Sequence, residues 1–338
     1  MDYDEIDYYD YDLPQFAIAQ SPSGVRSEAR LLDGRGGIFV DRSVRDLPGL
    51  LEPGDVVVVN DTKVIKGRIR LARASGGMCE VLLLEEEGGG RWSALLRPSS
   101  KLRPGDTLRH DGHEVLRIVD EFDAEGGPST PRKIQILDFD LVEELGVMPL
   151  PPYIKSELAD PERYQTVYAR HEGSVAAPTA GLHLDDLVFA AFESRQIRVA
   201  TVTLSVGLGT FRPVTAQHLD DHRMHEERYH VSDEAWEMIS KAQRVVSVGT
   251  TVLRTLETVA KTGELEGRTD LFIRPGFQIE VVDLLLTNFH TPRSTLLVLL
   301  ESFYGPRWRE MYAHALDRSY RFLSFGDATL VDRNGGAA

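Results

Sequence analysis

Val245-Val246-Ser247-Val248-Gly249-Thr250-Thr251-Val252-Leu253-Arg254 decides the fold class. Val245 to Val248 reads as a buried strand, because short β-branched runs suit a sheet covered on both faces. A Gly-Thr-Thr turn follows. A helix then spans Thr251 to Lys261 and stops near Gly263. Strand, tight turn and helix form the repeating unit of an α/β sheet. The same punctuation recurs nearby. Ile197 to Leu204 is an alternating strand followed by Ser205-Val206-Gly207-Leu208-Gly209-Thr210-Phe211. Val281 to Leu286 is a strand followed by Thr287-Asn288-Phe289-His290-Thr291-Pro292-Arg293-Ser294-Thr295. In open α/β sheets, ligands sit outside the carboxyl ends of the strands. These turns therefore predict one composite pocket.

Helical spacing fills the gaps. Leu184 to Arg195 is a helix with Leu184, Leu187, Val188, Ala191 and Phe192 on one face. Asp233 to Gln243 is another, with Ser232 as its N-cap. Ser294 to Tyr304 and Glu310 to Arg318 are two more, and Leu271–Ile273 reads as a further strand. From about Val56 to Leu141 the pattern differs. Short strands at Val56–Val59, Ile69–Ala72, Glu80–Leu84, Trp92–Leu96, Thr107–Arg109, Val115–Val119 and Ile134–Leu137 are broken by Gly, Pro and acids. Turn signals at this spacing predict an antiparallel sheet or small barrel, with Glu125 to Pro131 as a hairpin tip. The expected architecture is a main mixed or parallel α/β domain, residues 1–58 and 150–338, with a small antiparallel β-barrel inserted at residues 59–149.

Composition narrows the function classes. The 338 residues are 42% apolar, enough for two modest cores. One cysteine, Cys79, excludes an intramolecular disulfide and a multi-cysteine metal site, and it reads as a small core residue. No apolar run approaches the roughly 18 residues of a membrane span. The acidic start does not resemble a signal peptide, which points to the cytoplasm. The net charge is −15, but it is uneven. Residues 1–12 hold six acids and no base, whereas Lys63 to Arg117 holds eleven Lys or Arg against seven Asp or Glu. Lys63, Lys66, Arg68 and Arg70 alternate with apolar residues, as on a strand whose exposed face meets a phosphate backbone or simply water.

The loop Gly173-Ser174-Val175-Ala176-Ala177-Pro178-Thr179-Ala180-Gly181-Leu182-His183 combines glycines, a proline and hydroxyls, and ends on an imidazole. It suits either a tight connection or a loop that lies against a substrate and moves a proton. There is no G-x-G-x-x-G fingerprint, P-loop or G-x-S-x-G elbow, and no His/Cys/Asp cluster has metal spacing.

Together these blocks resemble the S-adenosylmethionine:tRNA ribosyltransferase-isomerase family of queuosine biosynthesis. The resemblance rests on the loops above, on Tyr320 to Asp327 and on five further segments. These are Tyr11-Asp12-Leu13-Pro14 with Ile18-Ala19-Gln20, Val59 to Val64, Leu150-Pro151-Pro152-Tyr153-Ile154, Arg163 to Ala169, and Arg223-Met224-His225-Glu226. Tyr320 to Asp327 completes the set, and all lie in the family's order. The chain departs from the family pattern at Ser205, where His is usual, at Val252-Leu253, at Thr291, near Glu301 and at Lys66-Gly67.

The resemblance implies that S-adenosylmethionine is consumed as a ribosyl donor, with no tightly bound cofactor. The acceptor is the aminomethyl group of a 7-deazaguanine at the tRNA wobble position. The products are epoxyqueuosine in tRNA, adenine and methionine. Such a reaction needs a base beside the sulfonium, an acid for adenine, and a pocket that excludes water. His183, His225, Glu226 and His290 are the catalytic candidates. Arg254 or Arg293 is a candidate for the methionine carboxylate. Tyr164 and Tyr168 could face the sulfonium or stack on a base. Ser174, Thr179, Gly181, Gly207, Gly209, Thr210, Thr250, Thr251, Asn288 and Ser294 complete the expected substrate site. Lys63, Lys66, Arg68 and Arg70 are the candidate tRNA contacts, meeting the anticodon region. The expected protein is a monomer without metal. Two alternatives stay open at this point. One is a paralogue that donates ribosyl to a free small molecule, motivated by Ser205 and Val252-Leu253. The other is a non-catalytic tRNA- or nucleotide-binding paralogue.

Overall fold

The computed structural model describes residues 3–123, 130–207 and 214–336. The chain divides into two compact units. One comprises Met1–Thr62, Pro151–His171 and Ala177–Ala338, and the other Lys63–Leu150 and Glu172–Ala176. In chain order the elements begin with β1 (Arg30–Asp33), β2 (Val40–Ser43), β3 (Asp55–Asn60) and β4 (Thr62–Val64). The next strands are β5 (Arg68–Arg73), β6 (Met78–Gly88), β7 (Arg91–Arg97), β8 (Thr107–His110), β9 (His113–Ile118) and β10 (Arg132–Ile136), followed by α1 (Phe139–Leu145). Then come β11 (His171–Ser174), α2 (Asp186–Ser194), β12 (Arg198–Leu204), β13 (Glu227–Val231), α3 (Asp233–Ser240), β14 (Arg244–Val248) and α4 (Thr250–Thr262). The chain continues with β15 (Glu266–Thr269), β16 (Leu284–Asn288), α5 (Thr295–Tyr304), α6 (Trp308–Asp317) and β17 (Ala328–Asp332).

The large unit is built on a nine-stranded mixed sheet in the order β15-β13-β12-β3-β14-β16-β17-β1-β2. β12, β3, β14 and β16 run parallel at its centre, and antiparallel strands extend both edges. The sheet is thus mixed, within the mixed or parallel α/β architecture the sequence predicts. Strand β3 corrects the sequence reading most. Val56–Val59 looks like the first strand of the barrel, yet it belongs to an inner strand of the large sheet, β3, which is buried at all of its six positions. Burial on both faces explains its unbroken valine run. One face packs Val57, Val59, Val246 and Leu286 against Leu184, Val188 and Phe192 around α2. Leu187, expected on that face, is 75% exposed. The expected strand at 271–273 is an irregular connection after β15.

The smaller unit is a closed barrel in the order β10-β7-β6-β5-β8-β9, with every pairing antiparallel. Closure removes the exposed edges that six short strands would otherwise present. Alternate residues such as Ile69, Leu71, Val81, Leu83, Leu96 and Ile134 fill its core. Cys79 is fully buried there, and burial pushes its thiol up to about 11. It behaves as a small core residue. Most of the expected hairpin tip lies outside the described residues.

Candidate active site

The carboxyl ends of β12, β14 and β16 open onto one cleft. Gly249 makes the first turn possible. Its φ of 94° lets β14 break directly into α4, and its amide donates to Leu286 O across the sheet at 2.8 Å. Thr250 and Thr251 therefore stand at the first turn of α4 and line the cleft. At the end of β16, Thr287, Asn288 and His290 line it as well. Tyr153, Thr179, Val206 and Ser324 complete the polar and apolar walls.

Asn288 organises this site. Its Oδ1 accepts from the Thr179 hydroxyl at 2.9 Å, and its Nδ2 lies 3.0 Å from His183 Nε2. With the amide so oriented, His183 Nε2 is the acceptor, so the ring carries its proton on Nδ1. His183 does not itself line the cleft; Asn288 and Thr179 do. Burial pushes His183 down to about 4, helped by the Arg321 and Arg26 charges. Burial alone pushes His290 down to about 3. His290 Nε2 lies 3.1 Å from the Thr287 hydroxyl, and its backbone amide donates to Tyr312 Oη at 2.9 Å. Both imidazoles are therefore neutral near pH 7, able to accept a proton and unable to supply one. Tyr153 is the opposite case. Burial pushes its hydroxyl up to about 12, and it sits 2.6 Å from Ser324 Oγ.

A second, smaller chamber adjoins the first and shares Thr250, Thr251 and Leu296 with it. Arg254, on α4, forms a wall of it. Its Nη1 donates to Glu227 Oε2 at 2.6 Å and its Nε to Leu271 O at 3.1 Å. Glu227 Oε1 also accepts from the Gly207 amide at 2.8 Å.

The remaining expected residues are distributed unevenly. Gly181 lies where a Cβ would fall 1.9 Å from the Tyr168 hydroxyl, so its role is to admit that ring. Tyr168 packs edge-on against Phe189 within the core, and Tyr164 does the same against Phe325. Neither lines the cleft. Ser294 is the N-cap of α5, accepting from the Leu297 amide, and its hydroxyl donates to Thr291 O. Arg293, at a φ of 54°, forms an ion pair with Asp7 and is 44% exposed. His225 and Glu226 are exposed, whereas Glu227 is buried. Gly209 and Thr210 lie outside the described residues. In the barrel unit, the Ser174 hydroxyl donates to Ala176 O at 2.7 Å.

The basic residues of the barrel unit do not share one strand. Lys63 is on β4 and pairs with Glu172 at 2.8 Å, while Lys66 is exposed between strands. Arg68 and Arg70 are on β5. Arg68 reaches Leu150 O at 3.3 Å, and Arg70 lies 4.0 Å from Glu80. Among the described residues, no group of three His, Cys, Asp or Glu could hold a metal ion. No helix among them is long and apolar enough to cross a membrane.

Sequence reasoning missed Glu227, Tyr153, Thr287 and Ser324. A signal for Glu227 was present. Strand β13 alternates buried and exposed, which turns Glu227, Tyr229 and Val231 inward and leaves Arg228 and His230 outside.

Comparison with known proteins bears on this geometry. Residues 6–331 match the model of a family described as Queuosine biosynthesis protein. The chain is 48% identical over 335 residues to the S-adenosylmethionine:tRNA ribosyltransferase-isomerase of Rubrobacter xylanophilus, covering 96% of this chain and 97% of that one. It is 45% identical over 341 residues to the protein of the same name from Gloeobacter violaceus, covering 98% and 97%. Among solved structures it is similar to the S-adenosylmethionine tRNA ribosyltransferase of Thermotoga maritima. That match has a TM-score of 0.54 at 33% identity, over 96% of this chain and 99% of that one.

Proposed function

The chain belongs to the queuosine biosynthesis protein family, and from that premise we propose that it is an S-adenosylmethionine:tRNA ribosyltransferase-isomerase working in the cleft at the carboxyl ends of β12, β14 and β16. It moves the ribosyl part of S-adenosylmethionine onto the 7-aminomethyl-7-deazaguanine of the tRNA wobble position. The products are epoxyqueuosine in tRNA, adenine and methionine. S-adenosylmethionine is a consumed substrate here, and tRNA is the macromolecular partner, met in the cytoplasm. The observation that carries the reading is the pair of buried, neutral imidazoles around Asn288 beside a cleft walled by hydroxyls.

His290 takes the proton from the carbon beside the sulfonium, because a neutral imidazole at the cleft wall is a base without prior deprotonation. Its low proton affinity makes it a weak base in the free protein. The sulfonium charge raises the acidity of the proton it removes. Asn288 holds a substrate hydroxyl or ring nitrogen, and His183 keeps the Asn288 amide in one orientation. His183 is thus a positioning residue. Tyr153 keeps its proton and donates a hydrogen bond to the departing adenine. Lys66 and Arg70, exposed on the barrel unit, contact tRNA phosphates.

The test is incubation with S-adenosylmethionine and a tRNA carrying the 7-aminomethyl-7-deazaguanine base, followed by adenine assay and mass analysis of the digested tRNA. Adenine together with an epoxycyclopentane-bearing nucleoside is the expected result. Folded protein that binds S-adenosylmethionine yet releases no adenine would overturn the reading in favour of a binding paralogue. Adenine release without tRNA modification would favour a small-molecule acceptor.

A further inference from the structure

Arg254 is a buried cation of the large unit that is only partly satisfied. It is 5% exposed, and its Nε and Nη1 are engaged by Leu271 O and Glu227. Its Nη2 is buried and has no partner among the described residues. The Thr251 hydroxyl, one helical turn earlier on α4, is buried and unpartnered among them as well. Both residues line the smaller chamber. A buried donor without an acceptor is costly, and such groups mark places where a ligand supplies the missing partner.

The chamber also receives the start of α4. This 13-residue helix has Gly249 as its N-cap and no side-chain cap, so its first-turn amides carry partial positive charge without an internal acceptor. Donors thus converge from two sources. The full charge of Arg254 is balanced by Glu227, which keeps the chamber wall near neutrality. Thr250 and Thr295 aside, the rest of the wall is apolar and includes Leu271, Leu296 and Leu299. A ligand that fits has an anionic acceptor at one end and a short aliphatic stem behind it.

We infer that this chamber is the subsite for the amino-acid tail of the sulfonium substrate, with Arg254 Nη2, the Thr251 hydroxyl and the α4 amides gripping its α-carboxylate. The inference rests on the proposed function and deepens it. The methylene stem lies against the leucines. Thr250, Thr251 and Leu296, which wall both chambers, set the sulfonium at the junction, so the nucleoside occupies the larger cleft beside Asn288 and His290. Arg293 does not hold the carboxylate, because Asp7 already occupies it at the surface.

The test is calorimetric binding, to the full chain, of S-adenosylmethionine and of its decarboxylated counterpart, which keeps sulfonium, adenosine and amine. The wild-type chain is expected to prefer S-adenosylmethionine by about ten- to hundredfold, the range of one or two charge-assisted hydrogen bonds. In the paired variant Arg254→Met with Glu227→Gln, which leaves no charge stranded, the preference should shrink to within about twofold. Thr251→Val should reduce it by about threefold or more, and this mild change decides the matter if the paired variant fails to fold. Equal binding of both ligands by the wild type would overturn the inference while sparing the proposed function. So would an unchanged preference in the variants. Loss of both ligands in equal measure in the variants would place the nucleoside in this chamber and overturn it too. A wild type that binds neither ligand would remove the proposed function, and the subsite with it.

Discussion

The turn that starts α4 and the turn that starts α5 look alike in sequence and differ in what they do with charge. Each follows a central strand, each carries threonines, and each supplies an arginine. Arg254 is buried against Glu227, while Arg293 is half-exposed against Asp7. Only the first keeps a donor in reserve. The difference teaches that residue type marks a candidate anion site, whereas burial decides whether the charge is available to a ligand or dissipated in water.

The largest effect should come from stranding the buried charge. Glu227→Ala leaves Arg254 without its counter-ion and is expected to cost about 3–5 kcal/mol of stability in denaturant unfolding. A loss below about 1 kcal/mol would mean that water reaches the pair, and would erase the contrast with Arg293.

Acid should act on the α5 side, where the histidines are. Folding holds His183 and His290 neutral, pushed down to about 4 and about 3, whereas in the unfolded chain both titrate near 6.5. The unfolded state therefore binds more protons below pH 6.5. Stability present above that pH falls as the pH drops towards 4 and then 3, by on the order of 3 kcal/mol for each ring. Urea melts at pH 7.5 and pH 4.5 should reveal it, and His290→Gln should remove its share. A His290→Gln melt with the same pH dependence as wild type would show that this ring is protonated freely in the fold.

Asn288→Ala tests the α5 turn by activity. Turnover should fall by about a hundredfold, since one preorganised polar contact of this kind is removed. His183→Ala should lose less, because its effect passes through Asn288, and its pH–rate profile should keep the wild-type shape. A changed profile for His183→Ala would instead give that ring a proton of its own to move.

The smallest effect belongs to the exposed arginine. Asp7→Ala should shift stability by less than about 1 kcal/mol and leave binding of S-adenosylmethionine unchanged. A marked loss of binding would move the carboxylate contact to the α5 turn.

Much of this was legible in the sequence. The helix after Ser232 starts where its cap predicts, the helix expected from Ser294 takes that residue as its N-cap, and α4 ends at Gly263 in a left-handed cap. Six barrel strands lie close to their expected positions because turn residues and period-two burial are local signals. The valine run at Val56–Val59 carried no such marker. A fully buried strand looks the same whichever sheet receives it. Leu187 shows the same limit from the helical side, since an apolar residue at the right spacing still lies in water where no neighbour covers it.

The sequence by itself determined the two kinds of architecture, the strand-to-helix turns that gather the cleft, and the residue types able to handle a cationic, carboxylate-bearing substrate. These follow from backbone preference and short-range spacing. Tertiary structure alone decided that the inward-facing Glu227 meets Arg254, that Asn288 stands between His183 and the cleft, and that Arg293 is spoken for by Asp7. Desolvation and charge pairing depend on neighbours brought from distant parts of the chain, and no local pattern encodes them.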